Sequence, residues 1–352
     1  DINGVRNWAF GFEFESDDCT DNNATPVTYT GSQLMTYVAN PNNDATLLKM
    51  DQKPNPPGGL FYAGWDRRDI NPSSAIVFHH PSGDIKKFSK DDGGITQSPY
   101  LDVPDRFNTW KVQWDLGTTE QGSSGSALMN AQGRIIGTLT GGKASCSNTT
   151  ENDYFAAIKE VFDYTPLDSS SSYAPWLDPS ISNVQVLDGY DPNGTKPNID
   201  LSIRGIYGMP AVVCGGNISP RIDIFNAGSS NASNVVLRII DLSTNSQIAE
   251  ANLANLASNS NQVLSFANLS VSGNKTYRVV VSSSGTDGRP FNNQAEVQVN
   301  SINGDVYSLE ITLDDYGSEN RWEILDKNNK AVAAEGPYQN NLKGTSINRQ
   351  IC

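Results

Sequence analysis

Glu120-Gln121-Gly122-Ser123-Ser124-Gly125-Ser126-Ala127-Leu128, followed by Arg134-Ile135-Ile136-Gly137-Thr138-Leu139-Thr140-Gly141-Gly142, decides how this chain is read. A serine nucleophile needs an exposed turn that projects its Oγ. It also needs backbone N–H groups aimed at the oxyanion that develops on attack. Glycines let the backbone turn that tightly. Gly122-Ser123-Ser124-Gly125 meets both needs. By itself such a loop equally suits a Gly/Ser linker, so the surrounding residues must decide.

Those surroundings read as short strands. Asn7 to Phe14 alternates apolar and polar side chains with period two. Ala45–Met50, Ala75–Phe78, Trp110–Trp114 and Arg134–Leu139 are further β-like stretches. Turn-forming clusters separate them, such as Asn55-Pro56-Pro57-Gly58-Gly59 and Asp91-Asp92-Gly93-Gly94. Helices are expected over Tyr154–Phe162 and near Tyr173–Leu177. The stretch 178–197 lacks a sustained pattern and reads as containing a linker. Beyond it, Ile199–Ile203, Arg221–Phe225, Val235–Ile240 and Tyr277–Val281 are strands bounded by turns. They suggest a β-sandwich of immunoglobulin-like type. A third pattern starts near 305 and stops at Cys352, short for an independent β-domain.

Composition agrees with β-structure and excludes several functions. The 352 residues suit two or three domains. Lys and Arg number 25 against 39 Asp and Glu, a net charge of −14. Nucleic acid is therefore an unsuitable partner, because phosphate neutralisation needs a basic patch. No apolar run reaches the length of a membrane-spanning helix. Four widely spaced cysteines (19, 146, 214 and 352) and two adjacent histidines, His79 and His80, do not make a zinc site. No metal or other cofactor is implied. The cysteines read as disulfide halves of a secreted protein. Asp1-Ile2-Asn3-Gly4 opens neither with Met nor with a secretory signal, so a processed or excised piece is expected.

Residues 1–180 resemble trypsin-fold serine endopeptidases, and among them the bacterial lysyl endopeptidases. The matching pieces are Asp44-Ala45-Thr46-Leu47-Leu48-Lys49-Met50, Ala63-Gly64-Trp65-Asp66-Arg67-Arg68-Asp69, His79-His80-Pro81-Ser82-Gly83-Asp84, Gly122-Ser123-Ser124-Gly125-Ser126, Thr140-Gly141-Gly142 with Cys146, and Trp176-Leu177-Asp178-Pro179. The resemblance implies an all-β fold. A trypsin-like double β-barrel over 1–180, with an incomplete N-terminal barrel, leads through a linker (181–197) to an Ig-like β-sandwich (198–302) and the start of a C-terminal β-domain (303–352).

By the same resemblance Ser124 is the nucleophile, and the backbone of Gly122 and Ser124 forms the oxyanion hole. Asp44 is then the buried carboxylate that orients the base. Thr140, Gly141 and Gly142 form the wall along which substrate pairs as a strand. Asp153 matches the acid at the pocket floor that receives a cationic side chain, with Glu151 as the alternative. Asp153 also suits the N-cap of the expected helix. Thr140 stands where lysine-selective relatives have His, so cleavage after basic residues generally is expected. Ser123 replaces the acid that in trypsin pairs with the new N-terminus, which argues against trypsin-style activation.

The family's base is a His in a Thr-Ala-x-His-Cys motif that precedes the Asp, and nothing in residues 1–43 matches it. The base is thus expected upstream of Asp1, in a further N-terminal segment of the same protein. His79 and His80 read as structural or surface residues. The resemblance also implies partners for Cys19 and Cys146 in that upstream segment. The expected function is a secreted serine endopeptidase acting on polypeptides after Lys or Arg, inactive as given. Its C-terminal modules would bind a cell surface or matrix. The competing reading is a non-catalytic secreted binding protein or a degenerate protease homologue. The residue at the His position upstream discriminates between them.

Overall fold

The computed structural model describes residues 2–351 except 17, 19–23, 40–42, 105, 163–169, 180–183, 211, 215, 303–306, 326, 328–330, 336–342 and 345. Cys19 and Cys352 lie outside the described residues. The chain is all-β and divides into two compact units, 1–183 with 187–194, and 184–186 with 195–352.

The first unit opens with two antiparallel pairs, β1 (Ala9–Phe12) with β2 (Val27–Thr30) and β3 (Ser32–Val38) with β4 (Ala45–Met50). β5 (Trp65–Asp66), β6 (Ala75–His79), β7 (Lys87–Asp91), β8 (Thr96–Pro99), β9 (Asn108–Val112), β10 (Ala127–Asn130), β11 (Ile135–Gly142) and β12 (Asp153–Ala157) follow. Seven of them pair in the order β7-β6-β10-β11-β12-β9-β8, with β5 running parallel to β11. Val77, Trp110, Val112, Leu128, Ile136, Leu139 and Phe155 form the core against this sheet. Burying each such side chain stabilises the unit by about 1.5–3 kcal/mol.

The expected helix over Tyr154–Phe162 is corrected. Its first half is β12, and only Ile158–Phe162 is helical (α1). Every residue of β12 is buried, between β11 and β9. A strand covered on both faces reads as an unbroken apolar run, and its period does not separate it from a buried helix. The second helix, α2, spans Ala174–Leu177.

The motif Ala63–Asp69 is structural. A side chain at Gly64 would strike the backbone of Leu187, Asp188 and Gly189. Asp66 accepts from Arg68 Nε at 2.9 Å and from its guanidinium at 2.5 Å, and both side chains are buried. Burial alone would raise the Asp66 carboxyl, but Arg68, with Arg134, more than reverses this and holds it below the usual value. Arg134, 2% exposed, is paired with Asp188 at 2.6 Å. Tyr190, placed by the sequence in a patternless stretch, exchanges backbone bonds with Tyr62 at 2.8 Å.

β13 (Val186–Leu187) falls where the chain passes between units. In the second unit, β14 (Leu201–Tyr207), β17 (Arg221–Asn226) and β20 (Ser260–Ser265) form a three-stranded sheet. β15 (Val212–Cys214), β23 (Gln294–Ile302), β22 (Gly273–Ser282), β18 (Ala232–Asp241) and β19 (Ser246–Leu256) form a five-stranded one. β16 (Asn217–Ile218) pairs with β21 (Leu269–Ser270). Ile203, Ile222 and Ile224 of the smaller sheet and Val235, Leu237, Ile239 and Val279 of the larger are fully buried. Two antiparallel pairs follow, β24 (Tyr307–Thr312) with β27 (Ser346–Ile351) and β25 (Trp322–Leu325) with β26 (Ala331–Glu335). Cys214 is disulfide-bonded.

Candidate active site

The loop before β10 presents its two central serines oppositely: Ser123 is fully buried and Ser124 is exposed. Gly122 (φ +94°) and Gly125 (φ +82°) supply the left-handed backbone that this reversal needs. The loop's own bonds fix the turn. Ser123 N–H donates to Glu120 O at 3.0 Å, and Ser126 N–H to Ser123 O at 3.1 Å. Gly125 N–H donates to Leu139 O at 2.8 Å, and Leu139 N–H returns to Ser126 O at 2.9 Å, which ties the loop to β11. Among the described residues nothing accepts from the N–H groups of Gly122 or Ser124. Two unused N–H donors on the same turn as an exposed serine have the chemistry of an oxyanion site.

Asp153 opens β12 and is 1% exposed. It lies inside a strand, ahead of α1, so the N-cap alternative is excluded. Its Oδ2 accepts from Trp114 Nε1 at 2.7 Å and from Thr119 Oγ1 at 2.6 Å. Burial raises this carboxyl, and the two hydrogen bonds only partly oppose the shift. Asp153 pairs in register with Gly142, where an added Cβ would fall 2.1 Å from Asp153 Oδ1. Glu151 is half-buried.

The Thr140–Gly142 segment has a distinct geometry. A β-bulge between Leu139 and Gly141 takes Thr140 out of register with β12. Its Oγ1 is buried without a partner. β10 accompanies β11 only as far as Thr138. From Thr140 onward, the edge of β11 away from β12 has no strand partner among the described residues. The Tyr100 hydroxyl closes on Gly141, 3.1 Å from where a Cβ would stand.

Asp44 is corrected in one respect: it is exposed, not buried. It precedes β4, next to the buried Asn43, whose Oδ1 accepts the Asp44 N–H at 2.7 Å. The outward position follows from the strand alternation, since Ala45 takes the inward place. The Asp44 carboxylate still acts on Tyr173: burial first, and Asp44 second, push that phenol up to about 12.

The sequence reading missed what holds the loop from beneath. His79 is buried, with Nδ1 2.8 Å from Ser123 Oγ. Ser82 N–H donates to Gln121 O at 2.6 Å. Cys146 N–H donates to Glu120 Oε1 at 2.6 Å, and the Cys146 thiol is free and exposed. His80 is half-buried, stacks on Phe14 and reaches Asp84 O at 3.0 Å.

Residues 3–156 match the family model for the lysyl endopeptidase C-terminal domain. Over 156 residues the chain is 33% identical to lysyl endopeptidase of Pseudomonas aeruginosa, covering 42% of this chain and 32% of that protein. The chain thus spans about a third of the length of the curated relative it matches. The secreted serine protease VesC from Vibrio cholerae aligns over 80% of this chain and 58% of its own, at 11% identity and a TM-score of 0.27. A CARDB domain of the PF1109 protein from Pyrococcus furiosus aligns over 32% of this chain and 98% of its own, at 21% identity and a TM-score of 0.28. The sequence matches relate residues 3–156 to a peptidase family. Among the described residues, no helix is long and apolar enough to cross a membrane.

Proposed function

We propose that residues 1–180 form the greater part of a secreted serine endopeptidase that cleaves polypeptides after Lys or Arg. The observation that carries this reading is the exposed Ser124 on a turn whose Gly122 and Ser124 N–H groups are unengaged, in a loop whose Thr119 also holds the buried Asp153. In this reading Ser124 attacks the scissile carbonyl. The N–H groups of Gly122 and Ser124 receive the oxyanion, Asp44 orients the base, and the free edge of Thr140–Gly142 pairs with the substrate strand.

A substrate ammonium or guanidinium leaving water must meet a counter-charge, and Asp153 supplies one. Neither histidine of this chain serves as base, because His79 is engaged beneath the loop and His80 bonds to Asp84. The base belongs to a segment upstream of Asp1. The Ig-like module (198–302) and the C-terminal β-domain (303–352), joined through 181–197, act outside the cell as accessory modules for a surface or matrix.

The test uses a form of the protein carrying the upstream segment, assayed on Lys, Arg and Leu amides. Turnover of the basic substrates that Ser124→Ala abolishes supports the reading. Robust turnover by the present chain alone, also abolished by Ser124→Ala, would place the base within these 352 residues and sink the role given to the upstream segment.

A further inference from the structure

His79 closes β6, and its two ring nitrogens face two serine hydroxyls, Ser123 at 2.8 Å from Nδ1 and Ser89 at 3.2 Å from Nε2. The proton inventory fixes their roles. Ser89 has one hydroxyl hydrogen and gives it to the Thr118 carbonyl at 2.9 Å. Toward His79 it therefore accepts, so Nε2 carries a hydrogen. A neutral imidazole carries only one, so Nδ1 is the acceptor and Ser123 donates to it. Ser123 Oγ in turn accepts the Glu120 N–H at 3.2 Å. The result is a directed chain from Glu120 N–H through Ser123, His79 and Ser89 to the Thr118 carbonyl.

A second proton on the ring would break this chain. Nδ1 would then be a donor, and the buried Ser123 hydroxyl hydrogen would lose its acceptor. The surroundings favour the neutral ring: burial first, and His80 second, hold the imidazole below its usual value. The other ionisable neighbours are placed elsewhere. Lys87, opposite His79 in the β6–β7 register, is exposed and lies 3.4 Å from Asp84. Glu120 directs its carboxylate to the Cys146 N–H.

Ser123 is also the hub of the turn, through its N–H to Glu120 and its carbonyl to Ser126. The two unengaged N–H groups flank it. We propose that His79 is a positioning residue for the nucleophile: as the Nε2–H tautomer it anchors Ser123 by the hydroxyl. It thereby sets the direction of the Gly122 and Ser124 N–H groups and of Ser124 Oγ. The proposal rests on the reading of Ser124 as nucleophile.

The chain holds only two histidines, so nitrogen-15 spectra of its imidazoles are assigned by a single His80→Gln variant. His79 is expected to show a protonated Nε2 and a bare Nδ1 at neutral pH, and to titrate below the usual imidazole value. Ser123→Ala and His79→Ala are each expected to speed amide exchange at Ser123, Gly125 and Ser126 about tenfold, the effect of losing one buried hydrogen bond. β9 and β12 should be unchanged. His79→Asn, whose Oδ1 stands near the place of Nδ1, should restore most of the protection. In a form carrying the base, Ser123→Ala and His79→Ala should lower kcat about tenfold or more with KM nearly unchanged, and His79→Asn should recover it. An Nδ1–H or doubly protonated His79 at neutral pH, or unaltered loop exchange in Ser123→Ala, overturns the proposal. Should His79→Ala fail to fold, Ser123→Ala, which removes one oxygen, decides alone. Absence of peptidase activity in the unsubstituted form would sink the peptidase reading, while the spectra and exchange still decide the anchoring.

Discussion

Trp114 donates its indole N–H to Asp153 Oδ2 at 2.7 Å, tying the segment just after β9 to the start of β12. The carboxylate is thereby oriented as well as buried. With the base-bearing form, Asp153→Asn is expected to lower kcat/KM for Lys and Arg amides about a hundredfold or more, the consequence of burying an unpaired cation. Leu amides should change only a few-fold. Equal loss for all three would remove Asp153 from specificity.

The raised carboxyl of Asp153 also gives a pH dependence. On the role proposed for Asp153, the charged form receives the cation, and that form is lost as pH falls through a value above the usual ~3.9. The preference for Lys over Leu should therefore shrink on acidification before an ordinary carboxylate would titrate. Steady-state selectivity ratios across the acid range check this, and Asp153→Asn should flatten the profile.

Asp66 and Arg68 form a buried pair whose breakage leaves an uncompensated charge. Asp66→Ala should destabilise the first unit by about 3–5 kcal/mol, read by denaturant unfolding. The sign with pH follows from the depressed carboxyl. Its stabilisation is present above the unfolded value near ~3.9 and is lost as pH falls through the lower folded one. Thermal scans that lose stability there in the parent but not in Asp66→Ala would bear this out.

Gly122 and Gly125 differ in surroundings despite similar φ. A Cβ at Gly125 meets open space, whereas at Gly122 it comes 3.3 Å from Ser82 N and 3.4 Å from Gly83 N and His80 O. Gly125→Ala should cost about 1–2 kcal/mol from backbone strain alone. Gly122→Ala should cost more and slow amide hydrolysis, since it also displaces the loop from the turn beneath. Equal melting temperatures for the two variants would refute this.

Tyr173, raised to about 12, should ionise late in an ultraviolet alkaline titration. Asp44→Asn should bring it earlier. Its neutral form favours the fold below the unfolded value near ~10, and that contribution is lost as pH rises through about 12.

Part of the fold is legible in local pattern: β1 (Ala9–Phe12) stands inside the alternation of Asn7–Phe14, and β4 coincides with the β-like stretch Ala45–Met50. β12 was misread because all its residues are buried, which erases periodicity. The outward serine was legible from the glycines around it. Its support was not, because His79 and Ser123 meet through pairing and turning of distant segments, and no local spacing announces such a contact. The bulge at Thr140 was equally hidden, since it is a matter of register between two strands and leaves no residue signature.

Gly142 restricts how this molecule can change. Any side chain there would intrude on Asp153 Oδ1 at 2.1 Å, Asn152 O at 2.5 Å and Asp153 Cα at 2.6 Å. The first obstacle vanishes when the acid is replaced by a smaller residue, but the backbone obstacles do not. Evolutionary drift at 142 is therefore blocked whatever side chain stands at 153. Descendants with new preferences should vary at 153 and its indole and hydroxyl neighbours while keeping glycine at 142, an asymmetric epistasis imposed by two strands lying in register.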